Sequence, residues 1–369
     1  MTARSWVLIL CCLVIAQDAF AGAAGSALLK YKQEAEAKGY VFFTDRDEIV
    51  SKAKREGKLR VVAGDASALK AIAGAFKGRY PYIDLQAEST TGIDSIQRFL
   101  LEIKSGAAIE WDTAKIETTL YREYLPHLWK IDLLGMAEHG VLNIPPPMVD
   151  PTNRNIIASS TRFEVVSYNK NLVSPGQIPK TWEDMLKPEW RGKKFGADPR
   201  PQVIATLVPL WGLEKAVDYA RKIAAQEPVW IQGGNRAVGT VVSGETPLFL
   251  GPTYSIVRRH QNKDPLGTIQ FTVLEPVPVR SSGEQGILAS AKNPFAALLW
   301  LEFMAGAEAQ KLLDQHEPMV ASLYTKGSAV EQELRGKKLS VISWENNLKM
   351  DQWLAKLVEA SGFPKTERK

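Results

Sequence analysis

The segment from Ser160 to Pro201 constrains this chain more than any other. Its opening, S-T-R-F-E-V-V-S-Y-N, reads as a strand from Phe163 to Tyr168. A loop, a short capped helix and a basic turn follow, then a second strand from Lys194 to Ala197 that ends in Asp198-Pro199. Thr181 precedes Asp184 by three residues, a pair resembling the capping box that opens helices. Pro188 stops that helix, since it has no amide hydrogen to continue the ladder.

The same alternation of strand and helix runs upstream. Leu59–Ala63 reads as a strand, and Gly64-Asp65-Ala66-Ser67 opens a helix with apolar positions at Leu69, Ile72, Ala73 and Phe76. After the turn at Tyr80-Pro81, Ile83–Ala87 is a second strand, and Glu88-Ser89-Thr90-Thr91-Gly92 leads into a helix through Ile96, Phe99, Leu100 and Ile103. Such alternation implies a parallel sheet covered on both faces. A third strand is expected near Trp111-Asp112, and two amphipathic helices, Ala27–Lys38 and Asp45–Glu56, come before the first. Downstream, Ile204–Trp211 and Leu213–Ala225 read as helices, and Val229-Trp230 as a short strand. Gln232-Gly233-Gly234-Asn235 caps a helix through Val238, Val241 and Val242, and Pro247–Leu250 is a buried strand. Phe271–Val279 reads as a return strand, Phe295–Ala305 as a helix, and the tail carrying Trp344, Leu348 and Trp353 as terminal helices.

Met1–Ala21 has the pattern of a targeting segment: Arg4, an apolar run of eleven residues from Trp6 to Ala16, and Ala19-Phe20-Ala21 as a cleavage site. That run is too short to span a bilayer, which takes about twenty residues. Both cysteines, Cys11 and Cys12, lie in it, so a processed chain is expected to carry no thiol and no disulfide. The roughly 350 residues that follow exceed one ordinary core and point to two domains. The net charge is +5, with mixed signs. The basic clusters at Arg191–Lys194 and Arg258–His260 lack the interleaved aromatics of a nucleic-acid surface.

The segment ending in "I-P-K-T-W-E-D-M-L-K-P-E-W-R-G-K-K" resembles the crossover between the lobes of bacterial extracellular solute-binding proteins, specifically the branch of periplasmic ferric-ion-binding proteins. The resemblance implies an α/β fold of type II, with two lobes, each a doubly wound mixed sheet, and two crossover strands as hinge. The expected division is a signal peptide at 1–21, a first lobe at 22–161, a second lobe at 162–275, a return to the first lobe at 276–325, and C-terminal helices at 326–369. It also implies a periplasmic, monomeric component of an ABC importer. Such a component needs no cofactor, docks on a membrane permease and catalyses nothing.

In an open α/β sheet, ligands bind beyond the carboxyl ends of strands, beside helix N-termini with unpaired N–H groups. The candidates are Ser67, Thr90, Thr91, Asp198, Arg200, Gly234 and Asn235. Ser, Thr, Asp and Asn also cap helices that touch no ligand. The resemblance places the 198–200 and 232–235 loops on the cleft. Arg162 precedes the crossover strand, where the family has an arginine facing the cleft; it reads either as an interlobe ion pair or as a fork for carboxylate or phosphate. Glu164 is placed to neutralise it. Ferric-binding relatives have adjacent tyrosines where this chain has Thr253 and Tyr254, a histidine after the first strand where it has Gly64-Asp65-Ala66-Ser67, and a glutamate after the second. Glu88 does not restore that set. Tyr254 therefore reads as an aromatic wall or hydroxyl donor, a core residue, or an iron ligand. The four histidines show no metal spacing, and no phosphate-binding, dinucleotide or hydrolase motif occurs. The expected ligand is a small oxygen-rich anion such as a carboxylate, phosphonate or phosphate ester. Ferric ion with a synergistic anion, a polyamine or a thiamine-like cation remain alternatives, as does a sensor role.

Overall fold

In the computed structural model the described residues are 26–363, apart from 65, 91–92, 109, 118–119 and 317–319. The targeting segment, Thr91, and the loop position Asp65 lie outside them.

Helix α1 (26–37) and α2 (Arg46–Glu56) precede the sheet. α2 starts on the Asp45 side chain, which accepts from the Asp47 amide, and ends at Gly57 with φ 63°, a left-handed turn that suits glycine. Then come β1 (Lys58–Ala63), α3 (Ala66–Arg79), β2 (Asp84–Ser89), α4 (Ile93–Lys104) and β3 (Thr113–Ile116). β1 pairs in parallel with β2 and β3, as the alternation requires. The short helices α5 (Tyr121–Tyr124) and α6 (Leu133–Glu138) lead to β4 (Ile156–Asn169), the first crossover.

The second lobe comprises β5 (Gly196–Ala197), α7 (Gln202–Ala205), α8 (Val208–Trp211), α9 (Leu213–Ala225), β6 (Val229–Trp230), α10 (Gly234–Ser243), β7 (Leu248–Thr253), α11 (Tyr254–Gln261) and β8 (Ile269–Thr272). α9 buries Ala216, Tyr219, Ala220 and Ile223, one face at helical spacing. The expected capping pair at the crossover forms: the Asp184 carboxylate accepts from the Lys180 and Thr181 amides, and the Thr181 hydroxyl accepts from the Asp184 amide. The turn it opens is a 3-10 helix, Glu183–Leu186. It seats Trp182, whose indole N–H donates to the Pro276 carbonyl and whose own carbonyl accepts from the Tyr219 hydroxyl.

β9 (Val277–Ile287) is the second crossover. The single return strand expected at Phe271–Val279 is in fact two, β8 and β9, because the chain turns at Glu275-Pro276 between them. α12 (Pro294–Ala305) follows, with nearly every side chain buried, Trp300 and Phe303 packing edge-on against Phe76. Its one acidic residue, Glu302, is held by the Arg46 guanidinium and the Asn143 amide. α13 (Ala307–His316) and α14 (Ala329–Leu334) precede a strand that periodicity did not reveal, β10 (Leu339–Ile342), parallel to β9. α15 (Trp344–Asn347) and α16 (Met350–Ala360) end the chain. Trp344 tilts against Tyr121, while α16 carries Met350 and Leu357 into the second-lobe core.

One strand path, β2-β1-β3-β9-β4-β7-β5-β6, joins the lobes through β4 and β9. β4 pairs antiparallel with β9 from Ile156 to Phe163, then with β7 from Glu164 onward. The change of partner at Phe163–Glu164 marks the passage from one lobe to the other.

Candidate functional site

The floor beneath that passage is unusual for buried strands. Arg162 lies opposite Arg280, and Ser160 opposite Ser282, in antiparallel register, so these four share one face with Glu164 and Glu284. The Arg280 Nε donates to Glu164 Oε1 at 3.0 Å. Glu164 is 3% exposed, and its Oε2 has no partner among the described residues. Burial pushes the Glu164 carboxyl up, against the downward pull of Arg280 and then Arg162. Burial likewise pushes Glu284 up to about 7, reinforced by Glu117 at the end of β3 and opposed by Arg162 and Arg280. Ser282 Oγ is also buried without a partner among the described residues. Arg162 forms no hydrogen bond or ion pair among the described residues; Glu164, expected to neutralise it, is committed to Arg280 instead.

Beside this floor, on the second-lobe side, lies a cavity of about 140 Å³. Its walls include Glu164 and Arg280 from the crossovers, Asp198 and Arg200 after β5, Thr253 at the end of β7, and Gly234 at the start of α10. Two glycines make this packing possible. A Cβ at Gly234 would stand 2.6 Å from Ile256 Cδ1, and one at Gly251, where φ is 83°, 2.6 Å from Val203.

The structure therefore brings three expected residues together: Asp198, Arg200 and Gly234. The 198–200 loop does not offer its amides freely, however. Asp198 Oδ1 accepts from the Arg200 amide at 2.8 Å, and Oδ2 from the Gly233 amide at 3.4 Å. The protein's own carboxylate thus occupies the place expected for an anion. Asn235 is exposed at the first turn of α10, outside the cavity wall, and Arg162 stands beside the wall as the cross-strand neighbour of Arg280. Tyr254, expected at the ligand, is instead a core residue. It is 2% exposed, stacks on Phe163 at 4.6 Å, and its hydroxyl is pushed up to about 12 by burial.

Ser67 and Thr90 lie on the first lobe, at the carboxyl ends of β1 and β2. Between them runs a side chain the sequence reading passed over, Lys115, whose Nζ donates to the Thr90 carbonyl and lies against Gly64. Arg280, Glu284 and Ser282 were missed as well. The available signal was periodic: R-S-S-G-E on β9 and S-T-R-F-E on β4 place polar residues at every second position of strands buried on both faces. Among the described residues no group of three or more His, Cys, Asp or Glu is placed to hold a metal ion.

Two lobes joined by a pair of crossover strands, with polar groups on the floor between them, are the architecture of a binding protein that encloses a solute. The chain belongs to the bacterial extracellular solute-binding protein family, whose model matches residues 112–349, more than half its length. It is similar to the iron- and citrate-bound IdiA/FutA protein of Trichodesmium, with TM-score 0.67, 18% identity, and coverage of 84% of this chain and all of that one. It also resembles iron-bound HitA of Pseudomonas aeruginosa, with TM-score 0.56, 20% identity, and coverage of 82% and 99%. At these identities the likeness is one of fold. Among curated proteins, the Fe(3+)-binding periplasmic protein of Serratia marcescens is 23% identical over 175 residues, 45% of this chain and 51% of that protein. An uncharacterized Haemophilus influenzae protein is 25% identical over 145 residues, 37% and 40% respectively. The chain thus spans about half or less of these relatives' lengths.

Proposed function

We propose that this protein is the periplasmic component of an ABC importer. It is exported with loss of the segment ending near Ala21, works as a monomer, captures a small anionic solute between its lobes, and presents it to a membrane permease. Capture by hinge closure about β4 and β9 requires no chemistry and no cofactor. The observation that carries the anionic ligand is Arg162, a guanidinium on the crossover floor with no partner among the described residues. Its neighbour Arg280 is already neutralised by Glu164. A planar fork with no carboxylate hydrogen-bonded to it among the described residues suits a carboxylate or phosphate. Lys115 on the first-lobe rim adds a second cation.

The ferric cargo named for several relatives is disfavoured by donor chemistry. A hard trivalent ion calls for several anionic oxygens. Here Thr253 lines the cavity, and Tyr254 is held in the core with its phenol pushed toward the neutral form.

Native mass spectrometry of protein purified without denaturation tests the reading. A retained organic or phosphorus-containing anion is expected, and Arg162→Ala should lose it, because charge-assisted bonds contribute roughly 1.5–3 kcal/mol each, one to two decades in affinity. An iron adduct, or equal retention by parent and variant, refutes it.

A further inference from the structure

The orphaned oxygen of Glu164 says more about the solute. A carboxylate oxygen accepts hydrogen bonds, and one buried without a donor is destabilising unless something completes it. Oε1 is satisfied by Arg280, whereas Oε2 is not, and Glu164 lines the 140 Å³ cavity. Among the described residues no other side chain in that wall donates to it. On the same face, Arg162 forms no hydrogen bond or ion pair among the described residues, although the Glu164 and Glu284 carboxyls lie within its field.

The two shortages are complementary, and together they describe one molecule. We propose that the solute is a small anion that also carries an N–H or O–H donor, ammonium or hydroxyl, a few bonds from its charged end. The anionic group meets Arg162, and the donor completes Glu164 Oε2. This rests on the anionic reading above and narrows it: an anion with no donor would leave Oε2 buried and unpaired when the lobes close. Ser282 Oγ, two residues from Arg280, is likewise buried without a partner among the described residues.

Calorimetric titration at pH 8 with three matched pairs tests the proposal: glycolate against acetate, β-alanine against propanoate, and O-phosphoethanolamine against ethyl phosphate. In at least one pair the donor-bearing member is expected to bind about tenfold or more tightly. Glu164→Gln should abolish or reverse that preference. Arg280 holds the amide oxygen in the place of Oε1, which leaves an amide N–H where Oε2 stood. If both members of every binding pair bind equally, and Arg162→Ala weakens them alike, the donor inference falls while the anionic reading stands. If none of the six binds, both fall. The parent's preference within a pair does not depend on the variant's folding, so a Glu164→Gln protein that fails to fold would not rescue a parent lacking it.

Discussion

The second-lobe rim and the crossover floor meet at one cavity and treat their polar groups in opposite ways. On the rim, the Asp198 carboxylate accepts from the amides of Arg200 and Gly233, so loops that could have cradled an anion are largely satisfied from within. On the floor, Arg162, Glu164 Oε2 and Ser282 Oγ are left without partners among the described residues. A self-satisfied rim holds its shape whether or not ligand is present. An unsatisfied floor carries a desolvation cost that ligand can relieve. Shape is thereby assigned to the rim and selection to the floor.

The sharpest way to break this contrast is to strand a floor charge. Arg280→Ala removes the guanidinium that compensates the buried Glu164 carboxyl. Deleting one partner of a buried pair costs about 3–5 kcal/mol, so urea unfolding of the ligand-free variant should show a loss of that order. Adding Glu164→Gln should recover part of it, because no uncompensated carboxyl remains. A single variant as stable as the parent would mean that the floor bears no such cost.

A second test titrates the floor. Glu284 is held near 7, above its ordinary 4.5. Below about 4.5 the carboxyl is protonated in both folded and unfolded chains. As pH rises toward 7, the unfolded chain gives up its proton first, so the contribution to stability is progressively lost, on the order of 3 kcal/mol in all. Above 7 the loss is complete and constant. Glu284→Gln removes this dependence, so the difference in stability between parent and variant should slope across pH 4.5–7 and be flat above. Parallel stability curves through that window would show Glu284 to be an ordinary carboxylate.

The same contrast governs how much was legible in the sequence. Leu213–Ala225 was readable to the residue, because an amphipathic helix declares its buried face every three or four positions. The crossover segment was readable too, since Thr181, Asp184 and Pro188 carry local capping and stop signals. The loops around Asp198 and Gly234 followed from chain order. β10 was not readable, being four residues long and paired with a strand some sixty residues earlier. Nor was the fate of Tyr254 or Arg162: whether a tyrosine faces a cleft or stacks on Phe163, and which arginine takes Glu164, depends on pairing between segments some ninety or more residues apart. Sequence gives the polar alternation on each crossover, and only the pairing of the two tells which charges are spent on each other.

The smallest effect is expected on the rim, and its sign makes it informative. Asp198→Ala removes the acceptor for the Arg200 and Gly233 amides, one bond short and one long. Asp198 is half-buried, so water can replace part of what is lost, and the stability cost should be about 1 kcal/mol. Binding should move the other way. The substitution deletes a negative charge from the cavity wall and frees two backbone donors beside α10, so an anionic solute should bind as well as before or a few-fold more tightly. That holds for both members of a matched pair, since Asp198 is not the group proposed to meet the donor. If Asp198→Ala instead erased the preference for donor-bearing anions, the rim would be doing the selecting, and the division of labour between rim and floor would be reversed.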